Sequence, residues 1–322
     1  MNWQMVPERW RTRPFRAMGC QMALWLELDS AARAESLLRE AEAMFARAER
    51  CLSRFDAGSE LSQLNAQPGV WTPVSNMLWE VVVQALFMAR ETGGLFDPTL
   101  LSALEAAGYD RSFEQLPDAQ WHAAPTAVSH LGQWQGVRLN AEGQAVWLPP
   151  GVRLDLGGIA KGYTAQQVVD FLSDWGPCLV DAGGDLTAGV APDGWPGWPV
   201  AVSAPFRRAE EERPELFPLW LVEGTMATSG VDFRRWQQNG HAAHHVIDPR
   251  TGCPAATNLL TVTVLARTAV RAEAWATAGL VAGTAVAEQR LTALGLAAAL
   301  IDDSGSISFT PALAPFVALA VS

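Results

Sequence analysis

Stretches of helical and of strand periodicity alternate along this chain without a strand–helix–strand rhythm. That feature directs it to the α+β class, with a mixed, largely antiparallel sheet and helices packed on it. Residues 22–28 have strand character, and Asp29 and Ser30 can cap the helix after them. From 31 to 55, Leu37, Ala41, Met44, Ala48, Leu52 and Phe55 recur at helical spacing. Ser75 can cap a second helix through Leu78, Val82, Ala85 and Ala89, which stops at Gly93 and Gly94. Further on, the pattern predicts strands at 152–155, 178–182, 259–266, 298–301 and 306–309, and helices at 160–175, 270–283 and 285–294. A polar stretch at 108–135 predicts a surface segment, and the charge run within 206–218 a solvated loop. With no clean linker, residues 18–322 are expected to form one unit with a cleft between two lobes, behind an N-terminal extension at 1–17.

The formal charge of −11 argues against non-specific binding to nucleic acid or to an anionic membrane surface. A polyanionic ligand would therefore need local help from a metal, an isolated lysine or backbone amides. The 4 cysteines form no C-x-x-C pair, which disfavours a thiol-rich zinc site. Met18-Gly19-Cys20 follows Ala17 as in a lipoprotein cleavage site, but residues 11–16 are charged where an apolar signal core belongs. The expectation is a cytoplasmic chain, or a periplasmic one if an export segment was trimmed.

Certain segments combine glycines with isolated polar residues inside apolar sequence. Asp155, Gly157, Gly158 and Lys161 mark a strand end, a glycine turn and a helix start, where free amides and one lysine can cradle an anion. The spacing is not that of a Walker loop. Asp181, Gly183, Gly184 and Asp185 form a second glycine turn at a strand end, which suits close backbone approach but reads most simply as a plain turn. Thr228-Ser229-Gly230 precedes His245, which sits just before the turn Asp248-Pro249 and could serve as a general base. Of His241, His244 and His245, the first and last are four apart, but on a loop or strand and not on a helix, so they are not the helical pair of a zincin. Gly93 and Gly94 lead into Leu95, Phe96 and Asp97. Finally, Glu273 and Thr277 are one helical turn apart and offer the oxygen ligands a hard cation prefers.

In this order, and with Met18-Gly19, the 53–56 run Ser-Arg-Phe-Asp and the 59–65 run around Ser59, Glu60 and Asn65, these segments resemble the ApbE-like family of FAD:protein FMN transferases. The match covers residues 18–283. The resemblance implies FAD as substrate, a catalytic Mg2+, and transfer of FMN to a Thr or Ser hydroxyl of an acceptor protein, with AMP leaving. By position it implies that Gly158 (through its carbonyl), Glu273 and Thr277 hold the metal. It implies that Met18, Phe55, Leu95, Phe96, Asp97, Asp155, Lys161 and Ile247 line the FAD site, and that His245 is the base or acceptor-orienting group.

The chain departs from the family pattern at Glu273, where Asp is usual; the arm is longer by one bond, about 1.5 Å. Phe55 replaces a frequent Tyr, which keeps ring stacking and loses the hydroxyl contact. Many relatives are also anchored lipoproteins. Two alternatives share the site: a hydrolase that passes FMN to water, and an FAD-binding protein without turnover.

Overall fold

In this computed structural model residues 9–111, 132–205, 214–238 and 241–318 are described. Most of the polar segment at 108–135 and of the charge run at 206–218 lies outside them. The hairpin of β1 (Trp10–Ala17) and β2 (Cys20–Glu27) leads into α1 (Ala31–Leu52) and α2 (Glu60–Asn65). Then come β3 (Trp71–Pro73), α3 (Asn76–Glu91), α4 (Leu101–Ala106), β4 (Arg138–Asn140) and β5 (Ala145–Trp147). Helix α5 (Ala160–Ser173) precedes β6 (Cys178–Ala182), β7 (Leu186–Ala188), β8 (Trp198–Ser203), β9 (Glu215–Leu221) and β10 (Gly224–Gly230). After β11 (Arg235–Gln238), β12 (His241–His244) and β13 (Leu259–Ala266), helices α6 (Ala269–Ala282) and α7 (Thr284–Ala293) precede β14 (Ala297–Asp302) and β15 (Ile307–Phe309).

The main sheet runs β1-β2-β6-β7-β10-β13-β14-β15, and its pairings are antiparallel, in keeping with the α+β class. Its two faces follow from the two-residue period of a strand. On β6, Cys178, Val180 and Ala182 pack against Leu38 and Ala41 of α1 and Val168 and Leu172 of α5. Leu179 turns the other way, towards Trp198, Val200 and Leu219 of the β8–β9 hairpin. Helix α1 buries Ala34, Leu37, Leu38, Ala41, Phe45, Ala48 and Leu52, one stripe of an amphipathic helix. The smaller lobe packs α2, α3 and the β3-β5-β4 sheet around Leu78, Val82, Val146, Leu154 and Ile159. That core extends to Tyr163 of α5 and to Val270 and Ala274 of α6, which joins it to the helices on the main sheet.

Residues 10–17, read as an extension, are strand β1 at the sheet edge. Three arginines and Pro14 hide its alternation. An edge strand tolerates a proline because one of its sides needs no donor, and Phe15 anchors it 5.4 Å from Phe45. Conversely, 152–155 is not a strand. Leu154 exchanges both backbone hydrogen bonds with the Asn65 side chain, and Asp155 N–H donates to Pro98 O, so no ladder is needed. Residues 215–218, expected in a loop, belong to β9 and pair with β8. No helix among the described residues is long and apolar enough to cross a membrane.

Candidate active site

The glycine turn is built before any ligand is considered. Asp155 Oδ1 accepts a hydrogen bond from Gly157 N at 2.6 Å, and Asp155 Oδ2 lies 2.7 Å from Arg54 Nε. A side chain at Gly158 would stand 3.1 Å from the Phe96 ring, so the turn is pressed against the 95–97 segment. Helix α5 starts immediately after it, with no side-chain cap from Ile159. One of its early N–H groups, that of Gly162, is instead taken by Glu273 of α6, whose two carboxylate oxygens both lie at 3.2 Å. A helix start left without its own cap is satisfied by a carboxylate from another helix.

Lys161 stands at the centre of the charges. Its Nζ is 3.5 Å from Asp185 Oδ2 and 3.5 Å from Glu273 Oε1. Asp185 Oδ1 also accepts from Thr228 N at 2.9 Å, which ties the 183–185 turn to β10. Burial opposes the Lys161 charge, yet Glu273 and Asp185 outweigh it and hold the ammonium above its ordinary pKa. Burial pushes the Glu273 carboxyl above the ordinary carboxylate range, the Lys161 ammonium pulls it back towards the ionised form, and Asp185 adds to the rise. The Thr277 hydroxyl, one turn along α6, lies 2.9 Å from Ser229 Oγ.

A second wall is aromatic. The Phe55 ring is 45% exposed and meets Tyr109 edge-on at 5.8 Å. Tyr109 stacks on Trp236 at 5.6 Å and meets His245 at 6.4 Å. His245 Nδ1 is sealed from solvent without a hydrogen-bond partner among the described residues. Burial, reinforced by the positive charges of Arg234, His244 and Lys161, pushes this histidine down to about 3, so the ring is neutral. Asp97 accepts from Thr99 N through Oδ1 at 2.7 Å, while its buried Oδ2 has no partner among the described residues. Burial raises the Asp97 pKa. Leu95 and Phe96 bury their side chains in two different cores, so the backbone is what they offer a ligand. Ile247 packs with Leu100, Leu104 and Tyr109. Met18 occupies the β1–β2 turn at φ 49 and packs against the cores of both lobes.

The sequence profile of the ApbE family matches residues 18–300. The chain belongs to the ApbE family. An FAD:protein FMN transferase of Treponema pallidum is 32% identical over 267 residues, covering 79% of this chain and 73% of that protein. One from Klebsiella pneumoniae is 31% identical over 281 residues, covering 85% and 79%. The crystal structure of the ApbE protein from Thermotoga maritima superposes with a TM-score of 0.86 at 25% identity, covering 96% of this chain and 100% of that one.

In this ApbE-family chain the structure brings Lys161 and Glu273 together at the start of α5, just after Gly158, while Thr277 stands one helical turn along α6 against Ser229. Asp155 and Phe55 are joined through Arg54, and His245 through Tyr109. Sequence reasoning assigned no role to Arg54, Tyr109, Ser229 or Asp185. Asp185 carried a signal, a carboxylate directly after two glycines, and Arg54 another, a charge behind an apolar helix stripe. Tyr109 carried none. The donor set fits a hard cation. Glu273 and Asp185 share one ammonium in a buried place, and the raised pKa of Glu273 marks a carboxyl that a further cation would favour in its ionised form, with the Thr277 hydroxyl one helical turn along. No three of His, Cys, Asp and Glu converge among the described residues, so a hydroxyl and a backbone carbonyl would complete the protein's share.

Proposed function

We propose that this chain is a magnesium-dependent FAD:protein FMN transferase that moves the FMN half of FAD to a Thr or Ser hydroxyl of an acceptor protein and releases AMP. The observation that carries the reading is Lys161, a largely buried ammonium held by two carboxylates at the start of α5, in a chain of this family. The pyrophosphate of FAD lies along the turn from Gly157 to Lys161, where the ammonium and backbone amides meet its charge. The open face of Phe55 stacks on the flavin. Met18 and Ile247 supply apolar contact, Asp155 holds the turn, and the backbone of Leu95 and Phe96 with the unmatched oxygen of Asp97 meets polar edges of the ligand. Glu273, the Thr277 hydroxyl and the Gly158 carbonyl would hold Mg2+, which neutralises charge on the pyrophosphate oxygens.

The acceptor oxygen forms a new bond to the FMN phosphorus, and the bond from that phosphorus to the bridging oxygen breaks in line with it; AMP leaves with that oxygen. Neutral His245 accepts the hydrogen bond of the attacking hydroxyl and aims it. With its pKa pushed down to about 3 it is a poor store for the proton, which passes on to solvent. The test is chromatography of AMP and FMN from purified protein, FAD and Mg2+, with and without an FMN-acceptor domain. Magnesium-dependent AMP release with flavin covalently on the acceptor is the expected result. AMP with free FMN alone would make the chain a hydrolase, and FAD binding without any AMP would leave a binding protein.

A further inference from the structure

Arg54 is a charged side chain only 6% exposed, directly after α1, and it has no place among the ligand-lining residues above. Its guanidinium meets three separate parts of the site. Nε lies 2.7 Å from Asp155 Oδ2, and the other oxygen of that carboxylate holds Gly157 N at 2.6 Å. Nη2 donates to Tyr109 O at 2.9 Å. The guanidinium carbon lies 4.0 Å from the Phe55 ring centroid and 4.7 Å from that of Tyr109. The glycine turn, the exposed Phe55 platform and the tyrosine that packs on His245 thus share one rigid cation.

We propose that Arg54 is a positioning residue that fixes the distance between the flavin platform and the pyrophosphate turn and, through Tyr109, the attitude of His245. The identity of the ligand rests on the function proposed above; the coupling among the three walls does not. The geometry demands the planar fork of arginine. A lysine ammonium can face the Asp155 carboxylate, but as a point charge it cannot also donate to the Tyr109 carbonyl while sitting over both rings. A purely structural ion pair would behave otherwise, since its loss would lower stability and leave the folded site unchanged.

Arg54→Lys separates the two. In the folded variant, the dissociation constant for FAD, read by flavin fluorescence, should rise at least tenfold, and kcat for AMP release should fall at least tenfold. Should Arg54→Lys not fold, the paired Arg54→Gln/Asp155→Asn variant, which leaves no buried charge unmatched, is measured in its place with the same expectation. The free protein supplies a reading that needs no FAD: the ring-proton resonances of His245, which feel the Tyr109 ring, should shift in the variant. A folded variant with unchanged His245 resonances and only a lower melting temperature overturns the proposal. If the parent protein binds no FAD, the proposed function fails, and the His245 resonances alone decide the role of Arg54.

Discussion

The carboxamide of Asn65 donates to Leu154 O at 2.8 Å and accepts from Leu154 N at 2.7 Å, doing for the segment before the glycine turn what a neighbouring strand would do. Asn65→Ala leaves both backbone groups buried and unmatched, and should cost about 2–4 kcal/mol in urea unfolding. His245 makes a prediction of opposite chemical character. Its pKa falls from 6.5 in the unfolded chain to about 3 in the folded one, so between these values the unfolded state holds the extra proton. Stability therefore falls as the pH drops through that window, by up to about 1.4 kcal/mol per pH unit. His245→Asn should flatten the slope measured by denaturant unfolding between about pH 6 and 4; an unchanged slope would place the acid sensitivity elsewhere. Lys161, Glu273 and Thr277 stand out in the sequence because each is a polar residue set among small apolar ones, and the structure joins the first two. Arg54 showed only a charge behind an apolar stripe and Tyr109 nothing at all, because their contact spans 55 positions, which no local pattern records.

At the scale of elements, periodicity located α1, α3, α5, α6 and α7 to within a few residues and β6 and β13 at their observed bounds. It failed where a tertiary contact replaced a local rule, as Asn65 does for 152–155 and the sheet edge does for β1. Gly162 shows such a contact reversing a propensity. Alanine inside a helix is ordinarily better than glycine by about 1 kcal/mol. In α5, however, the added methyl would overlap Glu273 Oε2 and stand 2.7 Å from its Cδ and 3.0 Å from Ala269 Cβ. Overpacking of this kind costs about 1–3 kcal/mol, so Gly162→Ala should lower the melting temperature. Adding Glu273→Asp, which shortens the arm, should recover part of the loss; a stabilised single variant would show that α5 and α6 part more easily than the packing implies.

Across the whole molecule, the site draws on α1's end, the 95–97 loop, α5, the 183–185 turn, β10 and α6, elements spread from Arg54 to Thr277. A ligand there recognises the complete fold, and binding should add to global stability. At FAD concentrations of 100 times its dissociation constant the gain is about 2.7 kcal/mol, read as a rise in the denaturant midpoint at unchanged slope. A midpoint indifferent to FAD would mean that the ligand also binds the unfolded chain or does not bind at all. The bond from Gly162 to Glu273 carries a further meaning in time. Those residues are 111 positions apart, so during synthesis the start of α5 emerges long before the carboxylate that caps it. Until α6 has been made and docked, that amide has only water, and the charge cluster around Lys161 lacks one of its two anions. Loop closure over such a separation is slow, which makes the anion cradle one of the last parts of this chain to mature and leaves a truncated nascent chain with no site to offer.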